Sequence, residues 1–247
     1  LYCQALNALV DLERDWVPHA PGTSLVLRPA MIATDPYLGV HPSKRYLFFI
    51  LCSPSGAYFK NGMAPVSIYV EEELIRAAPG GTGFAKCGGN YACAQRAANQ
   101  AVADGYGDVL WLDGVERRFV EEVGGMNIMF KKGNTVMTPQ IATGSVLPGI
   151  TRKSIIELLK EQGYTVEEKK IDIDEVAKDL EDGKIEEIWG CGTAAVISPV
   201  GKLCIHGKDY VINNFETGPL ARKLYDTLTG IQWGTVEDTH GWIFPIQ

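Results

Sequence analysis

The order in which hydrophobic periods change along this chain constrains its fold most. Short β-branched and aromatic runs at Ser24–Ile32, Lys44–Cys52 and Val66–Val70 read as strands. The alanine-rich run Ala92–Asp104 reads as a helix ending near Gly105 and Gly107. Asp108–Leu112 and Met126–Lys131 return to strand character, with a turn at Gly133-Asn134. Ile150–Gln162 is amphipathic, carrying Ile155, Ile156, Leu158 and Leu159 inward and Gly163 as its stop. Val166–Ile173 alternates sides, Glu175–Leu180 is a short helix, Val196–Ile205 and Lys208–Val211 form a hairpin, and Gly218–Thr229 is the last helix. Strands and helices mixed in this order predict an α/β fold.

Composition narrows the function classes. At 247 residues the chain is long enough for a large core in one or two domains. Its net charge of −7 disfavours nonspecific nucleic-acid binding, and no apolar run is long enough for a membrane helix. The six cysteines lack CxxC or metal-finger spacing and read as reduced thiols, which predicts a cytoplasmic protein. The four histidines show no paired ligand spacing, so no metal is expected.

Chemistry concentrates in two stretches. Gly80-Gly81-Thr82-Gly83-Phe84-Ala85-Lys86-Cys87-Gly88-Gly89-Asn90-Tyr91 sets one cation among glycines, ahead of a small-residue helix. Glycines let backbone approach a ligand closely, and a desolvated lysine becomes an amine nucleophile. About thirty residues on, within ordinary strand–helix spacing, lies Val120-Glu121-Glu122-Val123-Gly124-Gly125-Met126-Asn127. A lone lysine in a glycine-rich turn is more often a solvated surface group. The second stretch shifts the balance. No Gly-Lys-Ser/Thr ending, GxGxxG or GxSxG supports a nucleotide-binding or serine-hydrolase alternative.

Together these stretches resemble the branched-chain-amino-acid aminotransferases, pyridoxal-phosphate enzymes of fold type IV. Further ordered matches run through Gly22-Thr23-Ser24-Leu25, Leu27-Arg28-Pro29, Leu38-Gly39-Val40, Gly56-Ala57-Tyr58-Phe59, Val109–Gly114, Leu147-Pro148-Gly149-Ile150-Thr151-Arg152 and Gly190–Ala194. The resemblance implies the D-amino-acid-aminotransferase-like fold, with the large C-terminal domain essentially complete. It also implies that most of a smaller N-terminal domain is absent. Residues 1–20 would be that domain's end, 21–45 a strand and interdomain connection, and 46–247 the cofactor-binding domain. Ala5–Trp16, with Leu6, Leu9, Val10 and Leu12 at mostly helical spacing, reads as the small domain's last helix.

What the resemblance implies about roles follows residue by residue. Lys86 is the match to the lysine that carries pyridoxal 5′-phosphate and shuttles the substrate's α-proton. Glu122 matches the carboxylate that keeps the pyridine nitrogen protonated, an electrostatic role a buried carboxylate performs. Its neighbour Glu121 is expected on the other, solvated side of the strand. Tyr91 matches the tyrosine at the ring's phenolic oxygen. The Ser145 and Val146 amides and the Thr193 hydroxyl match the phosphate contacts, chemistry suited to a loop before a helix. Arg28, Tyr58 and the Thr193-Ala194 backbone match substrate contacts. Arg28 suits the carboxylate of a 2-oxo acid or glutamate. Leu38 and Val40 match a loop lining the partner subunit's apolar pocket, in a homodimer.

Departures from the family pattern bear on specificity. Val26 replaces a frequent tyrosine, and Gly125 a threonine common after Glu-Val-Gly. Ala195 and Ser198 stand where animal enzymes carry a redox CxxC, favouring a microbial-type enzyme. The function implied is transfer of an amino group between leucine, isoleucine or valine and 2-oxoglutarate. A D-amino-acid aminotransferase or aminodeoxychorismate-lyase-like enzyme of the same fold is the nearest alternative, and a non-catalytic fragment is a third.

Overall fold

The computed structural model describes residues 1–56 and 63–246. Tyr58 lies outside the described residues. The chain forms two compact units, one of Leu1–Lys60 with Thr239–Gln247 and one of Asn61–Asp238.

The first unit contains helix α1 (Tyr2–Leu12) and an antiparallel ribbon of β1 (Ser24–Ala33) and β2 (Tyr46–Ser55), paired from Ser24↔Ser55 to Ala33↔Tyr46. The helix starts earlier than its periodicity suggests, and Arg14–Trp16 forms a separate 3-10 turn. β2 pairs with β1 along its whole length and falls in the first unit.

The second unit is a mixed nine-stranded sheet with helices packed on it. Its strands are β3 (Val66–Glu71), β4 (Asp108–Leu112), β5 (Val120–Val123), β6 (Asn127–Lys132), β7 (Thr135–Pro139), β8 (Thr165–Lys169), β9 (Glu187–Gly192), β10 (Val196–Ile205) and β11 (Lys208–Val211). The order is β5-β4-β3-β10-β9-β6-β7-β8, with β11 on β10. The pairs β10–β3, β3–β4 and β7–β8 are parallel and the rest antiparallel. The sheet curls until its two ends meet. The Val120 amide donates to the Ile171 carbonyl just past β8 (2.9 Å), and the Ile173 amide donates to the Arg118 carbonyl (3.0 Å).

Inside that curl lies the main core, from Ile68 and Leu110 through Ile128, Phe130 and Ile188 to Leu203 and Ile212. A smaller cluster joins Ala97 and Ala101 of α2 (Gly88–Ala103) to Val109 and Trp111. Alanine on that helix face lets it lie close to the strands. Helices α3 (Ile150–Glu161), α4 (Ile173–Glu181) and α5 (Pro219–Gln232) complete the unit. The strand expected over 166–173 stops at Lys169, because the Asp172 carboxylate accepts the Asp174 amide and caps α4. Among the described residues no helix is long and apolar enough to cross a membrane. All six cysteines are free thiols.

Candidate active site

The glycine-rich stretch is not loop throughout. Helix α2 begins at Gly88 with Cys87 as N-cap, so Tyr91 occupies its first turn and Lys86 stands just before it. Gly88 and Gly89 have low helix propensity, but Asn90 fixes the start. Its side-chain amide donates to the Thr82 (2.8 Å) and Ala85 (3.0 Å) carbonyls, and its Oδ1 accepts from the Thr82 hydroxyl at 2.7 Å. The loop is thereby tied back on itself one residue before Lys86. The Lys86 side chain is exposed, with Nζ 4.8 Å from the Tyr91 ring centroid.

Glu122 lies on β5 and is 2% exposed. Its Oε1 accepts the Leu147 amide at 2.7 Å, and Oε2 is 3.3 Å from Arg76 Nε. That second contact is an ion pair rather than an aligned hydrogen bond, since Nε has no aligned acceptor. Burial pushes the Glu122 carboxyl up to about 7, while Arg76, the Leu147 amide and Lys86 pull it down and Glu121 adds to the rise. A carboxyl balanced in this way binds a cationic ring nitrogen readily.

Glu121 corrects the sequence reading. It is 4% exposed rather than solvated, and its Oε1 accepts from the Ser145 hydroxyl. Strand alternation does place it opposite Glu122, but the curled sheet buries both faces of β5. Burial raises the Glu121 carboxyl above its ordinary range, against the opposing Ser145 bond. A cleft of about 150 Å³, lined by Phe119, Glu121, Thr143 and Lys169 among others, opens on this face. Lys86, Tyr91 and Glu122 do not line it. It lies on the Glu121 side of β5.

Ser145 and Val146 are buried, and the Ser145 side chain points into β5. Of the run 145–147, the Leu147 amide is committed to Glu122. Helix α3 starts at Ile150 behind Gly149, with no side-chain cap. Its first-turn amides have no intrahelical acceptors and carry the positive end of the helix dipole. Thr193 and Ala194 are exposed in the turn between β9 and β10. The hairpin between β5 and β6 reaches both neighbours. A Cβ on Gly125 would lie 3.7 Å from the Tyr91 ring, and one on Gly192 would lie 3.3 Å from Met126 Cγ. Gly124 turns this hairpin at φ +53, with the Asp108 carboxylate against it.

Within the 61–238 unit Lys86 lies beside Tyr91, Ser145 and Leu147 are hydrogen-bonded to Glu121 and Glu122 on β5, and the Lys86 charge acts on Glu122. Arg28, Leu38 and Val40 lie in the first unit, where all three are exposed. Sequence reasoning missed Arg76 and Asn90. Arg76 had one local signal, a lone charge between Leu74-Ile75 and Ala77-Ala78.

Comparison with known proteins agrees with this arrangement. The class IV amino-transferase family model matches residues 14–203. A probable branched-chain-amino-acid aminotransferase of Staphylococcus aureus (strain N315) is 53% identical over 97% of this chain and 67% of its own length. Branched-chain-amino-acid aminotransferase 2 of Bacillus subtilis (strain 168) is also 53% identical, over 97% of this chain and 66% of its own length. The chain therefore spans about two thirds of the length of these relatives. Among solved structures, the branched-chain amino acid aminotransferase of Escherichia coli superposes with a TM-score of 0.76 at 29% identity, over 91% of this chain and 71% of that one. The lysine, the buried glutamate and the curled sheet between them stand in a chain that belongs to the class IV amino-transferase family.

Proposed function

We infer that the protein catalyses reversible amino-group transfer between leucine, isoleucine or valine and 2-oxoglutarate, with pyridoxal 5′-phosphate as cofactor. The observation that carries this reading is an exposed lysine, Lys86, set beside Tyr91 in the same compact unit as the buried carboxylate Glu122 on β5. Relatives bearing the branched-chain name at this identity support the substrate class.

The residues present fit the cofactor. Among the described residues, Glu122 Oε2 has only the unaligned Arg76 contact, which leaves it available to a ring nitrogen. The Tyr91 ring stands beside Lys86 Nζ, so its hydroxyl suits the ring's phenolic oxygen. The Ser145–Val146 turn, the first turn of α3 and the Thr193 hydroxyl offer donors for a phosphate. When bound, pyridoxal phosphate supplies an aldehyde for an amine and a ring that accepts the electron pair of the broken Cα–H bond.

This chain's own groups do the rest. With the cofactor bound, the Lys86 amine, carried on an exposed side chain beside α2, would take up and hand back the substrate's α-proton. Glu122 would hold negative charge against the ring nitrogen. Asn90 fixes the loop from which Lys86 reaches. The family resemblance gives Arg28, Tyr58 and the Thr193-Ala194 backbone as substrate contacts, with Arg28 suited to a carboxylate. The exposed Leu38 and Val40 line the apolar pocket of a partner subunit in a homodimer.

Steady-state turnover of leucine, isoleucine, valine and D-alanine with 2-oxoglutarate tests the reading. The three branched-chain substrates should exceed D-alanine by at least ~10²-fold in kcat/KM, the scale set by a pocket built for one shape. Preference for D-alanine would overturn it.

A further inference from the structure

Arg76 follows β3 and is 4% exposed, yet no reactive step uses it. Its guanidinium reaches three separate segments. Nε lies 3.3 Å from Glu122 Oε2 on the cofactor strand. Nη2 lies 3.4 Å from the Gly83 carbonyl, three residues before Lys86, and also donates to the Ser145 carbonyl. Gly83 itself packs on Ser145 so closely that a Cβ there would meet the Ser145 carbonyl oxygen at 2.3 Å. Only glycine allows the lysine loop to approach that turn. One planar fork therefore holds the lysine loop, the Ser145 turn and the cofactor carboxylate together, a geometry lysine's point charge cannot copy.

Two buried carboxylates share this single guanidinium. Glu121 Oε1 accepts from Ser145, while its Oε2 is buried with no hydrogen-bond partner among the described residues. An anion with an unpartnered buried oxygen is costly, so this environment favours neutral Glu121. Glu122 has the Leu147 amide and the Arg76 ion pair, and takes the negative charge. Besides Arg76, the groups facing Glu122 are Glu121 beside it on β5, Lys86 in the loop and the Cys191 thiol on β9. Of the two cations, only Arg76 is buried beside it.

We propose that Arg76 is a positioning residue for the transfer reaction, keeping Glu122 ionised for the ring nitrogen while fixing the Lys86 loop against the Ser145 turn. The proposal rests on the function inferred above. It predicts coupling between Arg76 and Glu122 even without cofactor, which separates the two claims.

The test is a double-mutant cycle on the cofactor-free protein, by urea denaturation, with Arg76→Met, Glu122→Gln and both together. Arg76→Met should shift the midpoint strongly in the parent and far less beside Glu122→Gln. Additive shifts would overturn the ion-pair role. The pH profile of pyridoxal-phosphate affinity, read by absorbance titration, is the second measurement. Arg76→Met should move its acid limb upward by about 1–3 pH units, the effect of losing an adjacent opposite charge. Arg76→Lys, which keeps charge but not the fork, should leave the limb near the parent's while weakening affinity. A limb unmoved in Arg76→Met reduces Arg76 to a packing role. If Arg76→Met does not fold, the cycle and profile run with Arg76→Lys and Arg76→Gln, and Arg76→Gln must then show the shift. If the parent binds no cofactor on Lys86, the function reading fails, while the cofactor-free cycle still judges the ion pair.

Discussion

Lys86, Thr193 and Ala194 are exposed, whereas Arg76, Glu121, Glu122 and Ser145 are buried, though all belong to the same 61–238 unit. The exposed group must meet molecules that come and go, and few contacts hold it in place. The buried group sets charge, and every member is bound into the sheet or its loops. Contact with passing molecules and the charge framework are thereby assigned to different residues, with Glu122 the buried member that also faces the cofactor. Mutations in the two groups should separate accordingly.

The largest effect belongs to the exposed half. Lys86→Ala should lower leucine transamination by ~10³-fold or more, the scale of a lost proton-transfer group. Its urea stability should stay within about 0.5 kcal/mol of the parent, as for other surface substitutions. A large stability loss would break the division. The buried half should lose stability as well. Arg76→Met removes one partner of a buried pair and should cost about 3–5 kcal/mol in urea denaturation.

Glu187 sharpens the contrast, because it is a buried carboxylate with a purely architectural task. It is 4% exposed, and its two oxygens accept the Leu220 (3.1 Å) and Ala221 (2.9 Å) amides at the start of α5. Glu187→Ala leaves those donors unpaired and should cost about 1–3 kcal/mol, with turnover per folded molecule unchanged. A fall in turnover at full folding would show that burial alone does not mark the structural group.

The smallest effect is at the surface, far in character from either half. His206 bridges Glu72 (Nδ1, 2.9 Å) and Asp174 (Nε2, 2.8 Å), and the Asp174 bond, followed by the Glu72 charge, holds its pKa above the ordinary 6.5 against some desolvation. A raised folded-state pKa gives stability that is full below pH 6.5 and disappears as pH rises through the folded value. The side chain is half exposed, so solvent screens the pair. His206→Gln should therefore cost a few tenths of a kcal/mol at about pH 5.5 and nothing near pH 9, a scale typical of surface pairs.

Much of this architecture was legible in the chain because its signals are local. The strand-like runs from Ser24, Asp108 and Lys208 became β1, β4 and β11, and the stripe Ile155–Leu159 became the buried face of α3. Where the signal was tertiary, it was not. Glu121 looked solvated because alternation describes a strand with one wet face, and nothing local shows that the sheet curls to bring Phe119 against Asp172. The start of α2 at Gly88 depends on Asn90 bonding back across the loop, which overrides glycine's poor propensity. Strand β9 was not read as a strand, since Gly190 and Gly192 interrupt its apolar run. Its Gly190 is needed because a Cβ there would lie 2.8 Å from Val123 Cγ1. Lys86, Tyr91 and Glu122 were found through ordered motif likeness. Arg76 was not, since its partners Glu122 and Ser145 lie far along the chain, the second of them 69 residues on.

The measurement that tests the central claim most directly is borohydride reduction of the protein incubated with pyridoxal phosphate, followed by peptide mass mapping. The account predicts a visible absorbance band in the unreduced protein and a reduced cofactor label confined to the peptide carrying Lys86. Prior addition of leucine should remove most of that label. A label scattered over surface lysines such as Lys153 or Lys223, or none at all, would contradict it.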